Sequence, residues 1–397
     1  MDPALKIADV RASLVSGAGA DYHDQQGRDH WIDGRIATPM ARYPEFRETR
    51  SSFGLDVLGS LVVEIEDGRG NVGVGVSTGG VPGSWVVEEH LSRFVIGRGP
   101  WELELVWDQM FNATLFYGRK GLVLNALSAV DLAMWDLLGR QRELPVWAML
   151  GGKVRDELVF YATGPRPDLA QALGFIGGKM PLEFGPWAGR EGLEANVARL
   201  ASMREEVGDD FWLMYDCWMA LDARYALELL RASEAYGLTW LEEFLPPDDY
   251  WGYAQVRREN STPALITTGE HEATMMGFRM LLDMGCADII QPDVAWCGGL
   301  TELVRISALA DAQRVLVIPH GSSVYSYHFV TTRHHSPFAE FLMMHPDASE
   351  VVPMFDPLLV NEPVPIDGRL AVPDRPGFGV DLNRDLDLTR PFNGPRW

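Results

Sequence analysis

Short apolar runs, each closing on a charged or polar residue, recur through the middle of the chain. Phe211-Trp-Leu-Met-Tyr-Asp216, Leu238-Thr-Trp-Leu-Glu242, Leu265-Ile-Thr-Thr-Gly-Glu270, Asp288-Ile-Ile-Gln-Pro-Asp293, Val315-Leu-Val-Ile-Pro-His320 and Phe338-Ala-Glu340-Phe-Leu follow at intervals of about 20 to 28 positions, the length of one strand, one helix and two connections. Amphipathic stretches separate them, as at Leu193 to Val207, Ala223 to Tyr236, Met275 to Met284 and Leu300 to Ala312, with apolar residues recurring at helical spacing. Leu158 to Ala162 and Phe175 to Met180 open the series. The pattern predicts parallel βα units closing into a barrel.

The N-terminal part has a different rhythm. Ile7, Val10, Ala12 and Leu14 suggest a strand, and Ser60 to Glu66, the Asp67-Gly68 turn and Val72 to Val76 read as a hairpin. Helices are expected over Ser84 to Phe94, Pro100 to Ala113 and Gly121 to Gly139. In the last of these, Asp131 and Asp136 read as surface or interface acids. The polar stretch Ser16 to Arg50 has no periodicity, and loops of that length are usually functional. Leu150-Gly-Gly-Lys-Val-Arg155 marks the passage into the barrel, and the Pro- and Gly-rich chain after Pro346 is expected to return over the first domain.

Composition narrows the partners. With 34 basic and 56 acidic residues the formal charge is −22, so phosphate backbones and anionic lipid are repelled; no nucleic acid and no membrane partner is expected. Apolar content of 47% supplies a sizeable core, and three cysteines are too few for a disulfide framework. With no signal-like N-terminus and no apolar run read as long enough to span a bilayer, a soluble, cytoplasmic protein is expected.

Parallel barrel strands present their C-terminal ends on one face, where barrel enzymes carry their chemistry. Asp216, Glu242 and Glu270 then converge from three neighbouring strands. An acid at a strand end can simply cap the next helix, but three together repel one another unless a cation lies between them. Hard oxygen ligands favour Mg²⁺, with Mn²⁺ as substitute. His320 and Asp293 end adjacent strands, so the carboxylate can fix the tautomer of the ring and raise its basicity. Glu340, on the far side of the mouth, can carry a proton and donate a hydrogen bond, or orient a substrate hydroxyl. His271 points away from the site or turns into it; His334 and His335 read as surface. Gly298-Gly299 can open a helix whose amides face the same rim. A divalent cation and one strong base suggest proton abstraction next to a carboxylate.

The order Asp216, Glu242, Glu270, Asp293, His320, Glu340 resembles the enolase superfamily, mandelate racemase-like branch. Gly269-Glu-His-Glu, Gln291-Pro-Asp-Val-Ala-Trp-Cys-Gly-Gly and Pro319-His-Gly-Ser-Ser-Val-Tyr-Ser are similar to its acid-sugar dehydratases. The resemblance implies an α/β fold, a modified TIM barrel (β/α)7β over about 151–345, with an N-terminal α+β capping domain over 1–150 and a returning segment over 346–397. It implies a homo-oligomer, an octamer in some relatives, acting on a small-molecule sugar acid. The reaction implied is loss of water from a six-carbon acid, L-rhamnonate first, with L-mannonate, L-lyxonate or an epimerase on the same scaffold as alternatives. Asp216, Glu242 and Glu270 would hold the metal. His320 would act as base and then acid, with Asp293 as its partner and Glu340 as stabiliser. His23, Arg50, His271 and Lys179 would contact substrate, Lys179 otherwise being structural. Racemases of this type usually carry Lys-x-Lys on the second barrel strand; Lys179-Met-Pro181 lacks the second lysine.

Overall fold

The computed structural model describes residues 2–15, 30–48 and 58–392. His23 and Arg50 lie outside them. Strands β1 (Ile7–Val15), β2 (Ser60–Asp67) and β3 (Val72–Thr78) form an antiparallel meander. The helix Leu122–Arg142 lies flat on β3 because Gly73 and Gly75 present no side chain there: a Cβ on Gly75 would meet the Ala129 carbonyl oxygen at 2.0 Å. By length and composition this helix could cross a membrane, but Asp131 and Asp136 interrupt its apolar run and 83% of its apolar window is buried inside the protein. It is a core helix.

Eight parallel strands follow: β4 (Leu158–Thr163), β5 (Gly177–Pro181), β6 (Trp212–Asp216), β7 (Leu238–Glu242), β8 (Leu265–Thr268), β9 (Ile289–Ile290), β10 (Leu316–Val317) and β11 (Ala339–Leu342). Their order, β10-β9-β8-β7-β6-β5-β4-β11, curls the sheet into the (β/α)7β barrel, and Val317 N–H donates to the His335 carbonyl (3.0 Å) where its two ends approach. Tyr161, Met214, Trp240, Ile289, Ile318 and Phe338 pack together inside it. Parallel register sets Pro181 level with Asp216 and Asp216 level with Glu242.

The later strands are shorter than their apolar runs. β8 stops before Glu270, and β9 and β10 are two residues long, so Asp293 and His320 stand on loops beyond the strands rather than at their ends. The run Ile-Pro-His leaves the ladder because proline has no N–H to donate. Helices Pro167–Ala172, Tyr250–Glu259 and Val324–Val330 have too little apolar periodicity to stand out in the sequence.

The C-terminal chain pairs with strands of both parts. β12 (Leu359–Val360) pairs with β14 (Asp381–Leu382), β13 (Arg369–Leu370) pairs with β4, and β15 (Leu388–Thr389) joins β1. Asp131 and Asp136 are interface acids, both buried. Asp131 accepts hydrogen bonds from Thr301 N–H (2.9 Å) and Thr301 Oγ1 (2.6 Å), and Gly298 N–H donates to Ser128 Oγ (3.0 Å). The helix Gly299–Ala312 is thus capped by the first domain, and its amides do not face the rim as expected. His335 is not a surface residue: half-buried, its ring meets Ser307 Oγ at 2.9 Å.

Candidate active site

Three carboxylates meet at the mouth of the barrel. One oxygen from each of Asp216, Glu242 and Glu270 lies within 4.8 Å of the others, and all three residues are buried. Burial pushes the pKa of each carboxyl up, and the nearby acids add to this; Glu242 rises to about 8 despite the pull of Lys179. Trp240 Nε1 (3.0 Å) and Gln291 Nε2 (2.6 Å) donate to Glu242 Oε2 and fix its orientation.

Lys179 stands beneath this cluster with no exposure. Its ammonium contacts Glu242 Oε1, lies 2.8 Å from Glu340 Oε1 and 3.5 Å from Asp216 Oδ2. Read as a substrate contact or as a structural residue, it is enclosed by these acids. Glu340 also accepts from Gly321 N–H (2.8 Å) and Thr163 Oγ1. Burial opposes its ionisation, but Lys179 and His320 outweigh burial and hold its pKa at about 2.

His320 Nδ1–H donates to Asp293 Oδ2 at 2.7 Å, which leaves Nε2 facing the carboxylates, 3.6 Å from Glu270 Oε2. Asp293 is held in turn by Ser322 Oγ (2.7 Å) and Ala295 N–H (2.6 Å). Burial disfavours the imidazolium, but Glu270, Glu340 and Asp293 outweigh it and raise the His320 pKa well above its ordinary value. His271 turns into the site, 3.3 Å from Glu243 Oε1 and 3.4 Å from Glu270 Oε1.

Several contributors escaped the sequence reading. Trp296 lies between the two imidazoles, its ring centroid 5.4 Å from each. The capping domain holds its loop: Ser77 Oγ donates to the Ala295 carbonyl (2.7 Å) and the Trp296 indole to Thr78 Oγ1 (3.3 Å). Glu243, at φ 40°, accepts from Gly269 N–H (3.0 Å) and Thr268 Oγ1, steadying the turn that carries Glu270. The adjacent acids Glu242-Glu243 and the string Gln291 to Trp296 were visible signals, but nothing local said which side each faced. Trp31 and Ile32 complete the wall over Asp216, Glu270 and His320.

The donor set fits a hard divalent cation. Six buried carboxylates, Asp216, Glu242, Glu243, Glu270, Asp293 and Glu340, are opposed by Lys179 and the His271 and His320 rings, which leaves uncompensated negative charge where three oxygens converge.

Comparison with known proteins agrees with this geometry. Residues 51–151 match the model of the mandelate racemase / muconate lactonizing enzyme N-terminal domain, and residues 172–386 match the enolase C-terminal domain-like model. An L-rhamnonate dehydratase from Saccharopolyspora erythraea is 64% identical over 98% of this chain and 100% of its own. The crystal structure of rhamnonate dehydratase from Gibberella zeae complexed with Mg is 44% identical, with a TM-score of 0.94 over 98% of this chain and 97% of that one. A racemase from Streptomyces coelicolor A3(2) with bound magnesium is more distant, 27% identical with a TM-score of 0.77 over 95% and 97% of the two chains. The chain belongs to the mandelate racemase / muconate lactonizing enzyme family, with the enolase C-terminal domain-like barrel of that family.

Proposed function

We propose that this protein is a Mg²⁺-dependent hydro-lyase that converts L-rhamnonate to 2-dehydro-3-deoxy-L-rhamnonate. The observation that carries the reading is the His320–Asp293 pair facing the Asp216, Glu242 and Glu270 oxygens across one mouth. Identity of 64% to an L-rhamnonate dehydratase over nearly the whole chain supports the substrate.

Asp216, Glu242 and Glu270 would hold the ion. Mg²⁺ there supplies positive charge that offsets the substrate carboxylate and the second negative charge developing on it when the α-proton leaves. His320 Nε2 takes the proton from C2, and the C–H electron pair moves into the carboxylate as an enediolate. As this collapses, the C2–C3 double bond forms, the C3–O bond breaks, and His320 returns its proton to the departing hydroxyl as water. The enol then tautomerises to the 2-keto acid. Asp293 holds Nδ1–H and so leaves Nε2 to make both transfers: the unprotonated ring takes the proton, and the raised basicity keeps it on Nε2 until the hydroxyl departs. Glu340, ionised beside Lys179, orients a substrate hydroxyl, and His271 lies within reach of the same ligand. His23 and Arg50 are assigned to substrate contact through the family resemblance alone.

Racemisation is disfavoured because Pro181, level with Asp216, offers no base on the opposite face, and Lys179 is already engaged by three carboxylates. We also read the protein as a cytoplasmic homo-oligomer. Buried free cysteines and exposed apolar side chains such as Phe116 and Trp251 support this, and light scattering measures the subunit count.

Incubation with a panel of sugar acids tests the function. L-Rhamnonate with Mg²⁺ yields a 2-keto acid, and EDTA abolishes it; no product from any six-carbon acid overturns the reading.

A further inference from the structure

One wall of the mouth is apolar, and the proton transfers above make no use of it. Strand alternation puts Leu342 on the same face of β11 as Glu340, two residues nearer the rim. Met344 follows, and Ile32 from the N-terminal segment packs against both. That segment is pinned in place. Trp31 N–H donates to the Pro346 carbonyl (2.8 Å), its indole donates to the Met343 carbonyl (2.7 Å), and the His30 ring lies 2.9 Å from the Met344 carbonyl. Ile32, Leu342 and Met344 are 2%, 6% and 7% exposed, and with Trp31 they line the cavity that also holds Asp216, Glu270 and His320. Leu342 packs close beside the base, for a Cβ at Gly321 would meet its Cγ at 2.9 Å.

A sugar acid carries a hydroxyl on nearly every carbon, and each hydroxyl buried without a partner costs binding. The carboxylate end belongs with the cation cage and C2 with His320, so a far end reaching this wall meets hydrocarbon. A methyl is accommodated there; a hydroxymethyl is left unpaired.

We infer that Ile32, Leu342 and Met344 form the subsite for the terminal carbon of the substrate and select acids ending in methyl over acids ending in hydroxymethyl. This rests on the dehydratase reading and adds its specificity determinant. Apolar pockets reject an added hydroxyl by about a hundredfold at most, so a preference of about ten- to hundredfold in kcat/KM is expected.

The test compares kcat/KM for L-rhamnonate with that for L-mannonate, which differs only by the hydroxyl on the last carbon. Both are measured with Mg²⁺ on the unaltered enzyme, on Leu342→Asn and on Ile32→Thr, which keeps the β-branch, is one methyl smaller and guards against misfolding of the first. The expected result is a rhamnonate-to-mannonate ratio well above one that falls about tenfold in at least one variant. Overturning results are a ratio near one in the unaltered enzyme, an unchanged ratio in both variants, or parallel loss of both substrates. Absence of turnover with either acid in the unaltered enzyme defeats the dehydratase reading itself. Turnover with an unmoved ratio defeats only the wall.

Discussion

Asp293 Oδ2 lies 2.7 Å from His320 Nδ1, and both residues are buried beside the carboxylate cluster. The pair turns the other ring nitrogen, Nε2, toward that cluster, 3.6 Å from Glu270 Oε2. Asp293→Asn keeps the shape but removes the charge that selects this tautomer, so kcat falls by about 10²- to 10⁴-fold with KM little changed. His320→Asn abolishes product while Mg²⁺ still raises the melting temperature. Steady-state kinetics with calorimetry measures both, and retained turnover in His320→Asn would remove the acid–base assignment.

Lys179 is enclosed by Glu242, Asp216 and Glu340. Lys179→Met leaves those acids without their counter-charge, and breaking a buried ion pair costs about 3–5 kcal/mol. The metal-free variant therefore melts well below the unaltered protein, and Mg²⁺ raises its Tm by a larger increment because more negative charge faces the ion. Equal increments in the two proteins would mean that the lysine does not share the potential of the cation site.

Gly75 lets the helix Leu122–Arg142 touch β3, and a Cβ would sit 2.0 Å from the Ala129 carbonyl oxygen and 2.8 Å from Ala133 N. Backbone on both sides cannot yield as a flexible side chain would. Gly75→Ala is expected to destabilise the protein by about 1–3 kcal/mol, while Gly70→Ala, whose Cβ meets nothing within 4 Å, loses stability only through its positive φ, typically about 1 kcal/mol. Denaturant unfolding of the two variants gives the comparison.

His328 joins the C-terminal chain to the barrel. Its Nδ1 accepts from Trp147 N–H (3.1 Å) and its Nε2–H donates to the Phe378 carbonyl (3.2 Å). Burial lowers its pKa from 6.5 to about 3, and an added proton on Nδ1 would face another donor. With the folded pKa depressed, this group's contribution is present above pH of about 6.5 and is lost as pH falls toward 3. Between pH 7 and pH 5 the loss is about 2 kcal/mol. His328→Gln should reduce the pH 7-to-5 loss of unfolding free energy by that amount; an unaltered pH dependence would show that the ring titrates normally.

Local pattern alone determined the βα repeat, the meander before it and the order of the acids and the histidine that meet at the mouth. An apolar run ending in an acid every two dozen residues has few other folded solutions, because parallel strands need covering helices and must bring their C-terminal ends to one face. Asp216, Glu242, Glu270, Asp293, His320 and Glu340 were legible for that reason. The enclosure of Lys179, its contact with Glu340, the turn of His271 toward Glu270 and the place of Trp296 between two rings were not. Each depends on distances between residues far apart in the chain and on the loss of water around them. Alternation gives the face of a strand on which a side chain starts, while burial and neighbouring charge decide its protonation and its partner. Ile32 and Leu342 make the same point: 310 positions separate them, and only closure of the capping segment onto β11 makes them one wall.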